Sequence, residues 1–381
     1  MLRCILFTFF VSGAASQPLG SFIPYLRQSY GLGYAFSGLL LSCQSIGNLA
    51  AIFLAGILPA YLGRRKSVFI TAVWMAAGYL IFFSGLSVPV LLAAACLMTG
   101  VARGGNSNFA NTLVSTLSGT LATRGYNLTH GCFALGALLT PLLLVACEAT
   151  WSGIGWRIMA GGLCLLVGAQ LAVYGEMPLP QETKRFGLRG TDRSFFRDHK
   201  FWLGATMLFF YISAEYAIVG WLVTYFQESG ILPLELAQIM NSLLWGVIFA
   251  GRMGSAWLSR RLSRNKLLGM DGLGFFLFFL VMFFGRSTVV VTAGIAGMGL
   301  FMAGIYPTAF SFGSDSIRGN DLGASALTLA GSVGGVLTPS LIGLVAAHSG
   351  IRAGMGVVAI LTALLLVSIL LSISSDRWHA A

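Results

Sequence analysis

Several groups of polar side chains recur at helical spacing inside long apolar stretches, and these residues could do chemistry. The groups are Gln44 and Asn48; Arg103, Asn106, Ser107 and Asn111; Asn127 and His130; and Gln238, Asn241 and Trp245. Residues three or four apart share one face of a helix. Amides bind the hydroxyl groups of a ligand, and aromatic rings pack against its apolar faces. The pattern predicts a binding site for a small hydrophilic molecule.

Glu215 is the most informative of these candidates, because it lies near the middle of the apolar stretch 209–226. A carboxylate there costs about 2.5–3.5 kcal/mol on membrane-insertion scales, so it indicates a function. It shares a helical stripe with Tyr211 and Tyr225. Glu215 could pair with Arg103, bind one end of a charged substrate with Arg103 at the other, exchange a proton, or accept hydrogen bonds from sugar hydroxyls.

Each candidate also has a simpler interpretation. A buried amide can hold two helices together, His130 can be a hydrogen-bonded core residue, and Trp245 can be a packing residue. Arg252 and Asp271 lie nearer the ends of their apolar stretches. We expect these two residues to be gate or structural residues rather than ligand contacts.

Composition places the chain in a membrane. Of its 381 residues, 56% are hydrophobic and only 9% are charged, with a mean hydropathy of +0.83. Such a chain predicts an all-α membrane protein of twelve transmembrane helices. The predicted spans are 2–25, 34–60, 67–87, 89–118, 125–147, 154–175, 200–227, 233–258, 266–285, 288–313, 323–347 and 350–374.

The longest polar interruption divides the predicted spans into two pseudo-symmetric halves of six. It predicts an N-terminal half at 1–177, a cytoplasmic linker at 178–199 and a C-terminal half at 200–381.

Basic residues predict the orientation, because cytoplasmic loops hold the excess of Lys and Arg. With both termini in the cytoplasm, 17 of the 23 Lys and Arg residues face that side and only four face outside. This arrangement suits the inner membrane of a cell. It accounts for the net charge of +11 by anionic lipid, so we expect no nucleic-acid partner.

No pattern of ligands for a metal or cofactor is present, and all six cysteines fall within the predicted spans. The first residues resemble a signal peptide up to SGAAS (12–16). We expect them to be retained, since their removal would leave eleven spans and reverse the charge asymmetry.

Several segments resemble a known family. GILPAYLGRRKSV (56–68) resembles the loop signature of the major facilitator superfamily, although Ala60 and Tyr61 occupy the places of its acid and base. GNSNFANTLVSTL (105–117), YNLTHGCFALGALLTPLL (126–143) and the Glu215 stretch resemble the fucose permease group of sugar:proton symporters. The resemblance implies alternating access and a sugar or sugar derivative as substrate.

The sequence departs from that group in one respect. Its proton-coupled members carry acids in the first and fourth spans, whereas the first span here offers only Ser12, Ser16 and Gln17. Gln17 is therefore a candidate substrate-binding residue, and Glu215 becomes the candidate for ion coupling. The coupling ion, if there is one, would be a proton, and transport without an ion stays open.

Other functions are less well supported. The alternative carrier is a drug or metabolite efflux antiporter, and a non-transporting membrane sensor is a weaker possibility. We expect no enzymatic activity, because no H-E-x-x-H, G-x-S-x-G or nucleotide-binding G-x-x-x-x-G-K-[ST] motif is present. We expect the carrier to act as a monomer.

The predicted topology can be tested by labelling single cysteines in a background without the native ones. Ser229→Cys and Ser349→Cys should react from outside the cell, and Arg189→Cys only from inside, because the basic residues lie in the cytoplasm. Labelling of position 189 in intact cells would contradict this topology.

Overall fold

The computed structural model describes residues 2–115, 120–176, 193–317 and 321–380. Inside these ranges the side chains left undescribed are those of residues 2, 3, 52, 53, 55–57, 59, 60, 64, 107–115, 120–127, 130, 176, 321 and 376–380. Apart from one short 3-10 turn at Ser194–Arg197, every regular element in the described ranges is an α-helix. The all-α prediction is confirmed for this part of the chain.

The chain divides into two compact units, and the first is Met1–Gly187. Its helices are α1 (Leu2–Ser16), α2 (Pro18–Tyr30), α3 (Tyr34–Leu62), α4 (Arg64–Ser84), α5 (Pro89–Ser115), α6 (Thr120–Thr150) and α7 (Gly155–Glu176). Within this unit α1 packs mainly on α6, α3 on α5, and α4 on α5 and α7.

The second unit is Leu188–Ala381. Its helices are α8 (His199–Glu228), α9 (Leu234–Leu258), α10 (Arg264–Phe284), α11 (Thr288–Met302), α12 (Ile305–Ser314) and α13 (Asp321–Ala380). In this unit α8 packs most extensively on α13, and α10 packs on α11 and α13. The boundary between the units falls inside the predicted linker, 178–199.

Within the described residues, nine helical runs are long and apolar enough to cross a membrane, and the last of them covers Leu322–Ser375. That last run holds two spans, because Gly350 has a left-handed φ of 82° that ends one helix and starts the next. The helices α3 and α5, of 29 and 27 residues, are also long enough to span. Twelve membrane-spanning helices result, as the sequence predicts.

Two of the predicted spans are broken, which the sequence analysis did not anticipate. The first breaks at Gln17, between α1 and α2, where Pro18 opens the second helix. The tenth breaks at Ala303 and Gly304, between α11 and α12. Proline lacks a backbone N–H and crowds the carbonyl four residues earlier, so Pro307 accounts for the break at Ala303.

Glycines let the helices approach until backbone meets backbone. A Cβ atom on Gly13 of α1 would overlap the Phe133 carbonyl of α6, and one on Gly136 would overlap the Phe10 carbonyl. The Thr140 hydroxyl donates to the Ala14 carbonyl across this contact at 3.1 Å. Small residues that allow such close packing replace the hydrophobic driving force that is absent between helices in lipid.

The turn between α6 and α7 is fixed by two charged side chains. The Glu148 carboxylate accepts from the N–H groups of Gly153 at 3.0 Å and Trp156 at 2.7 Å. The Arg157 guanidinium donates to the Phe83 and Ser84 carbonyls at 3.1 and 3.0 Å, at the end of α4. This turn therefore ties together the ends of three helices.

The close α1–α6 contact can be tested by adding one methyl group. Gly13→Ala should lower the free energy of unfolding by about 1–3 kcal/mol, because the backbone of α6 cannot yield as a flexible side chain can. The readout is the melting temperature of the purified protein in detergent. Gly162→Ala on α7 is the matched control, since nothing lies within 4 Å of a Cβ there. Equal stability of the two variants would contradict the packing argument.

Candidate functional site

Glu215 lies half-buried in the middle of α8, and it has a hydrogen-bonding partner on the same helix. The hydroxyl of Tyr211, one turn earlier, hydrogen-bonds to Glu215. Tyr211 is itself fully buried. Helical spacing of four residues places the two side chains on one face, as the sequence predicts.

Aromatic rings from three helices surround this pair. The Tyr211 ring centroid lies 6.2 Å from that of Tyr306 on α12 and 6.5 Å from that of Phe275 on α10. The Tyr306 ring stacks on Phe310 at 6.2 Å and an interplanar angle of 22°. The rings provide the apolar faces on which the CH face of a sugar can pack.

Charged and titratable side chains from other helices also act on this pair and on Tyr306. Glu215 and Tyr216 both act electrostatically on the Tyr306 hydroxyl, and Arg252 of α9 acts on the Tyr211 hydroxyl. We define the Glu215 cluster as Tyr211, Glu215, Tyr216, Arg252 and Tyr306. The cluster combines one acid, one base and three phenols within the second unit, and two of the phenols, Tyr216 and Tyr306, are half-buried. Arg252, expected to be a gate or structural residue, thus lies at the cluster.

The polar stripe on α9 runs through the interior of the second unit. Gln238 and Asn241 are fully buried, and Trp245 is nearly so. The neighbouring Ser242 hydroxyl is buried and has no hydrogen-bond partner among the described residues. Burial of amides in a membrane helix shows that this face avoids lipid, while its contact with a ligand stays a prediction.

In the first unit, α1 carries a row of buried polar groups. The hydroxyls of Ser12 and Ser16 and the Oε1 atom of Gln17 are buried without a hydrogen-bond partner in the described part of the chain. Most buried polar atoms in proteins are hydrogen-bonded, so three neighbouring exceptions indicate a place where a ligand or water binds. Gln17 also stands at the break between α1 and α2.

Asn106 faces a neighbouring helix rather than an open space. The Thr71 hydroxyl of α4 approaches the Asn106 Oδ1 atom at 3.4 Å, and the amide nitrogen lies 4.0 Å from the Met75 sulfur. Arg103, half-buried on the same helix, acts electrostatically on the Tyr79 hydroxyl of α4. These contacts favour the helix-packing interpretation for Asn106.

Gln44 and Asn48 lie where α3 crosses α5. A Cβ atom on Gly100 would overlap the Gln44 carbonyl, and one on Gly104 would lie 2.7 Å from the Asn48 carbonyl. The remaining predicted site residues of this unit, Ser107, Asn111, Asn127 and His130, lie outside the described side chains.

Sequence reasoning missed two members of the Glu215 cluster, Tyr216 and Tyr306. Tyr216 lies off the predicted stripe, and Tyr306 comes from a helix 90 residues later. A signal was present in GIYPTAF (304–310), where Tyr306 precedes the helix-breaking Pro307. Two aromatic residues on α8 are packing residues instead: the Trp221 indole donates to the Pro339 carbonyl at 3.2 Å, and the Tyr225 hydroxyl to the Phe283 carbonyl at 3.0 Å.

A double-mutant cycle can test the Tyr211–Glu215 contact. Tyr211→Phe and Glu215→Gln should be coupled by about 0.5–3 kcal/mol in the free energy of unfolding, because the first removes the hydrogen bond and the second removes the charge that strengthens it. Tyr225→Phe is the control, since its hydroxyl bonds to a backbone carbonyl. Additive effects of the first pair would show that the two side chains do not interact.

Comparisons with known proteins agree with this architecture. A putative glucose/galactose transporter of Helicobacter pylori is 23% identical over 88% of this chain and 86% of its own length. Human major facilitator superfamily domain-containing protein 4A is 28% identical over 42% of this chain, and the matched part is only 31% of that protein. The solved structure of the Escherichia coli fucose:proton symporter superposes with a TM-score of 0.64 and 18% identity, covering 97% of this chain and 98% of the symporter.

The family model of the Major Facilitator Superfamily matches residues 5–332, which is most of the chain. Together with twelve helices of membrane-spanning length, this match confirms the predicted superfamily. The chain is an integral membrane transporter that belongs to the Major Facilitator Superfamily.

Proposed function

We propose that this carrier moves a sugar across the cell membrane by alternating access, with both termini in the cytoplasm. The observation that carries the proposal is the Glu215 cluster, a carboxylate held by one tyrosine and flanked by others. A carboxylate accepts hydrogen bonds from two sugar hydroxyls, while tyrosine rings pack on the sugar's CH face. A drug-like apolar cation would not require the buried amides of α9.

The first unit supplies polar groups of the same chemistry. Ser12, Ser16 and Gln17 present buried oxygens that no described residue satisfies. A sugar has hydroxyl donors at several positions and can satisfy such acceptors, whereas an apolar ligand would leave them unpaired. The name of the Helicobacter relative, a putative glucose/galactose transporter, supports the same substrate class.

Glu215 acts in this proposal as a substrate-binding residue. Its carboxylate already accepts from Tyr211, and its partial exposure leaves room for a second donor. Arg252 lies close to the same tyrosine and offsets part of the negative charge. This arrangement suits a side chain that accepts hydrogen bonds from the substrate.

Uptake into proteoliposomes tests the substrate class directly. The purified chain should transport at least one neutral hexose or pentose from a panel that also contains acidic sugars, amino sugars and lipophilic cations. Competition by an excess of unlabelled sugar should abolish uptake of the labelled one. Transport of the lipophilic cations alone would favour the efflux alternative instead.

Glu215→Gln should weaken sugar binding while leaving the protein folded. The substitution keeps the shape but replaces a charge-assisted hydrogen bond, worth about 1.5–3 kcal/mol, with a neutral one. We expect the apparent dissociation constant, measured by ligand-induced fluorescence or calorimetry, to rise by roughly 10- to 100-fold.

Glu228→Gln at the exposed end of α8 is the matched control, and its affinity should not change. Unchanged affinity in Glu215→Gln as well would remove Glu215 from the binding site.

A further inference from the structure

Asp271 is a buried carboxylate that the proposed binding site does not use. It lies on α10, seven residues after the helix begins at Arg264, which is about 10 Å along the axis. Only 4% of its surface is exposed, and among the described residues its Oδ2 atom has no hydrogen-bond partner and its carboxylate forms no ion pair.

Burial without a partner makes the charged form of this side chain unfavourable. An ionised carboxylate removed from water loses several kcal/mol of hydration, which only a close counter-charge or several hydrogen bonds can offset. The protonated carboxyl avoids that loss. Asp271 therefore has two states whose balance depends on how much water and positive charge reach it.

The surroundings of Asp271 allow the balance between its protonated and ionised states to change. A Cβ atom on Gly304 would overlap both the Asp271 Oδ2 atom and the Ser255 hydroxyl, so the two oxygens face the same small space. Gly304 lies in the break between α11 and α12. Ser255 of α9 is partly exposed. Broken helices beside a polar side chain are typical of ion sites in carriers.

We propose that Asp271 binds the proton that drives transport, with Ser255 as its path to water and the α11–α12 break as the element that responds. This inference rests on the proposed transport function. Uptake of a proton converts the Asp271 carboxylate to a carboxyl, and its release to water at Ser255 restores the carboxylate. No other group is oxidised, reduced or consumed.

The charged and titratable groups around Asp271 do not prevent its carboxylate from binding a proton. The helices around α10 carry Arg252 on α9 and the phenols Tyr211 on α8 and Tyr306 on α12, and among the described residues none of these forms an ion pair with Asp271. Arg264, on its own helix, is bound to Asp315 at 2.7 Å. The helix α11 carries no titratable residue, and α13 presents Ile369 and Ile373 to this part of α10.

Arg252 supplies a link between the proton and the sugar. It lies one turn before Ser255 on α9 and acts on Tyr211, which in turn holds Glu215. In this proposal the charge on Asp271 acts on the Glu215 cluster through α9, which is the differential interaction that coupling requires.

A proton fits this site better than a metal cation. Within the described residues no three His, Cys, Asp or Glu side chains come together. A single carboxylate and one hydroxyl are too few oxygens to replace the hydration shell of a metal ion. A proton needs only one acceptor oxygen.

The test compares exchange with accumulation in proteoliposomes that contain the full chain and a sugar from the panel above. With acidic medium on one side, a gradient of about two pH units can drive up to about 100-fold accumulation with one proton per sugar. Asp271→Asn should abolish accumulation but retain exchange of labelled for unlabelled sugar. Asp315→Asn removes an acid at the end of α12. This variant should retain both accumulation and exchange.

Two results would overturn the proposal. The first is accumulation by Asp271→Asn at the wild-type level. The second is wild-type accumulation that follows a sodium gradient, or that is absent under every gradient although the sugar is exchanged.

An infrared pH titration of the purified, sugar-free protein separates this proposal from the substrate assignment. The wild-type protein should show a protonated-carboxyl stretching band that persists above the pH at which exposed carboxyls ionise and disappears as the pH rises further; Asp271→Asn should lack this component and Asp315→Asn should retain it. If no sugar is transported but this band is present, the substrate class is wrong and the proton site stands. An identical band in Asp271→Asn refutes the site.

Ser255→Ala is a second variant that can be measured if Asp271→Asn does not fold. It keeps the Asp271 carboxyl and removes only the neighbouring hydroxyl. Its band should remain, and the pH at which the band disappears should shift. An unchanged titration would remove Ser255 from the path.

Discussion

The high cost of an unsatisfied polar group away from water determines how this protein is built. It requires the backbone of each span to be helical, and it requires each buried side chain to find a partner. Gly13 and Gly136 then let the helices α1 and α6 touch along their backbones. Helices held this tightly leave little space for a polar side chain that has no partner.

Against that background the buried polar residues fall into two groups. Thr140, Trp221 and Tyr225 donate to backbone carbonyls of neighbouring helices and hold the fold together. Gln17 and Asp271 have buried oxygens that no described residue satisfies. The second group includes the residues assigned here to ligand and proton, since a ligand or a proton can supply what the protein does not.

Much of the fold could be predicted because hydropathy is a property of whole segments and does not depend on single contacts. The spans and the boundary at Gly350 needed only segment length and glycine chemistry. The helix breaks at Gln17 and Gly304 could not be predicted, because a proline in a membrane helix is often tolerated and its effect depends on the helices around it.

The candidate site was predictable only within a single helix. The spacing of Tyr211 and Glu215 places them together whatever surrounds α8. Tyr306 lies beside them only because α12 packs on α8, and that contact cannot be predicted from residue spacing. Asn106 shows the converse, since its helical face on α5 could be predicted from spacing but the helix that it contacts, α4, could not.

The turn between α6 and α7 has a consequence for how motion in this carrier can be measured. The Glu148 carboxylate accepts hydrogen bonds from N–H groups of the turn, and the Arg157 guanidinium donates to the last carbonyls of α4. The adjoining ends of α4, α6 and α7 therefore form one stiff edge. Two spectroscopic probes on this edge should keep a constant separation through the transport cycle, which gives distance measurements on the carrier an internal ruler.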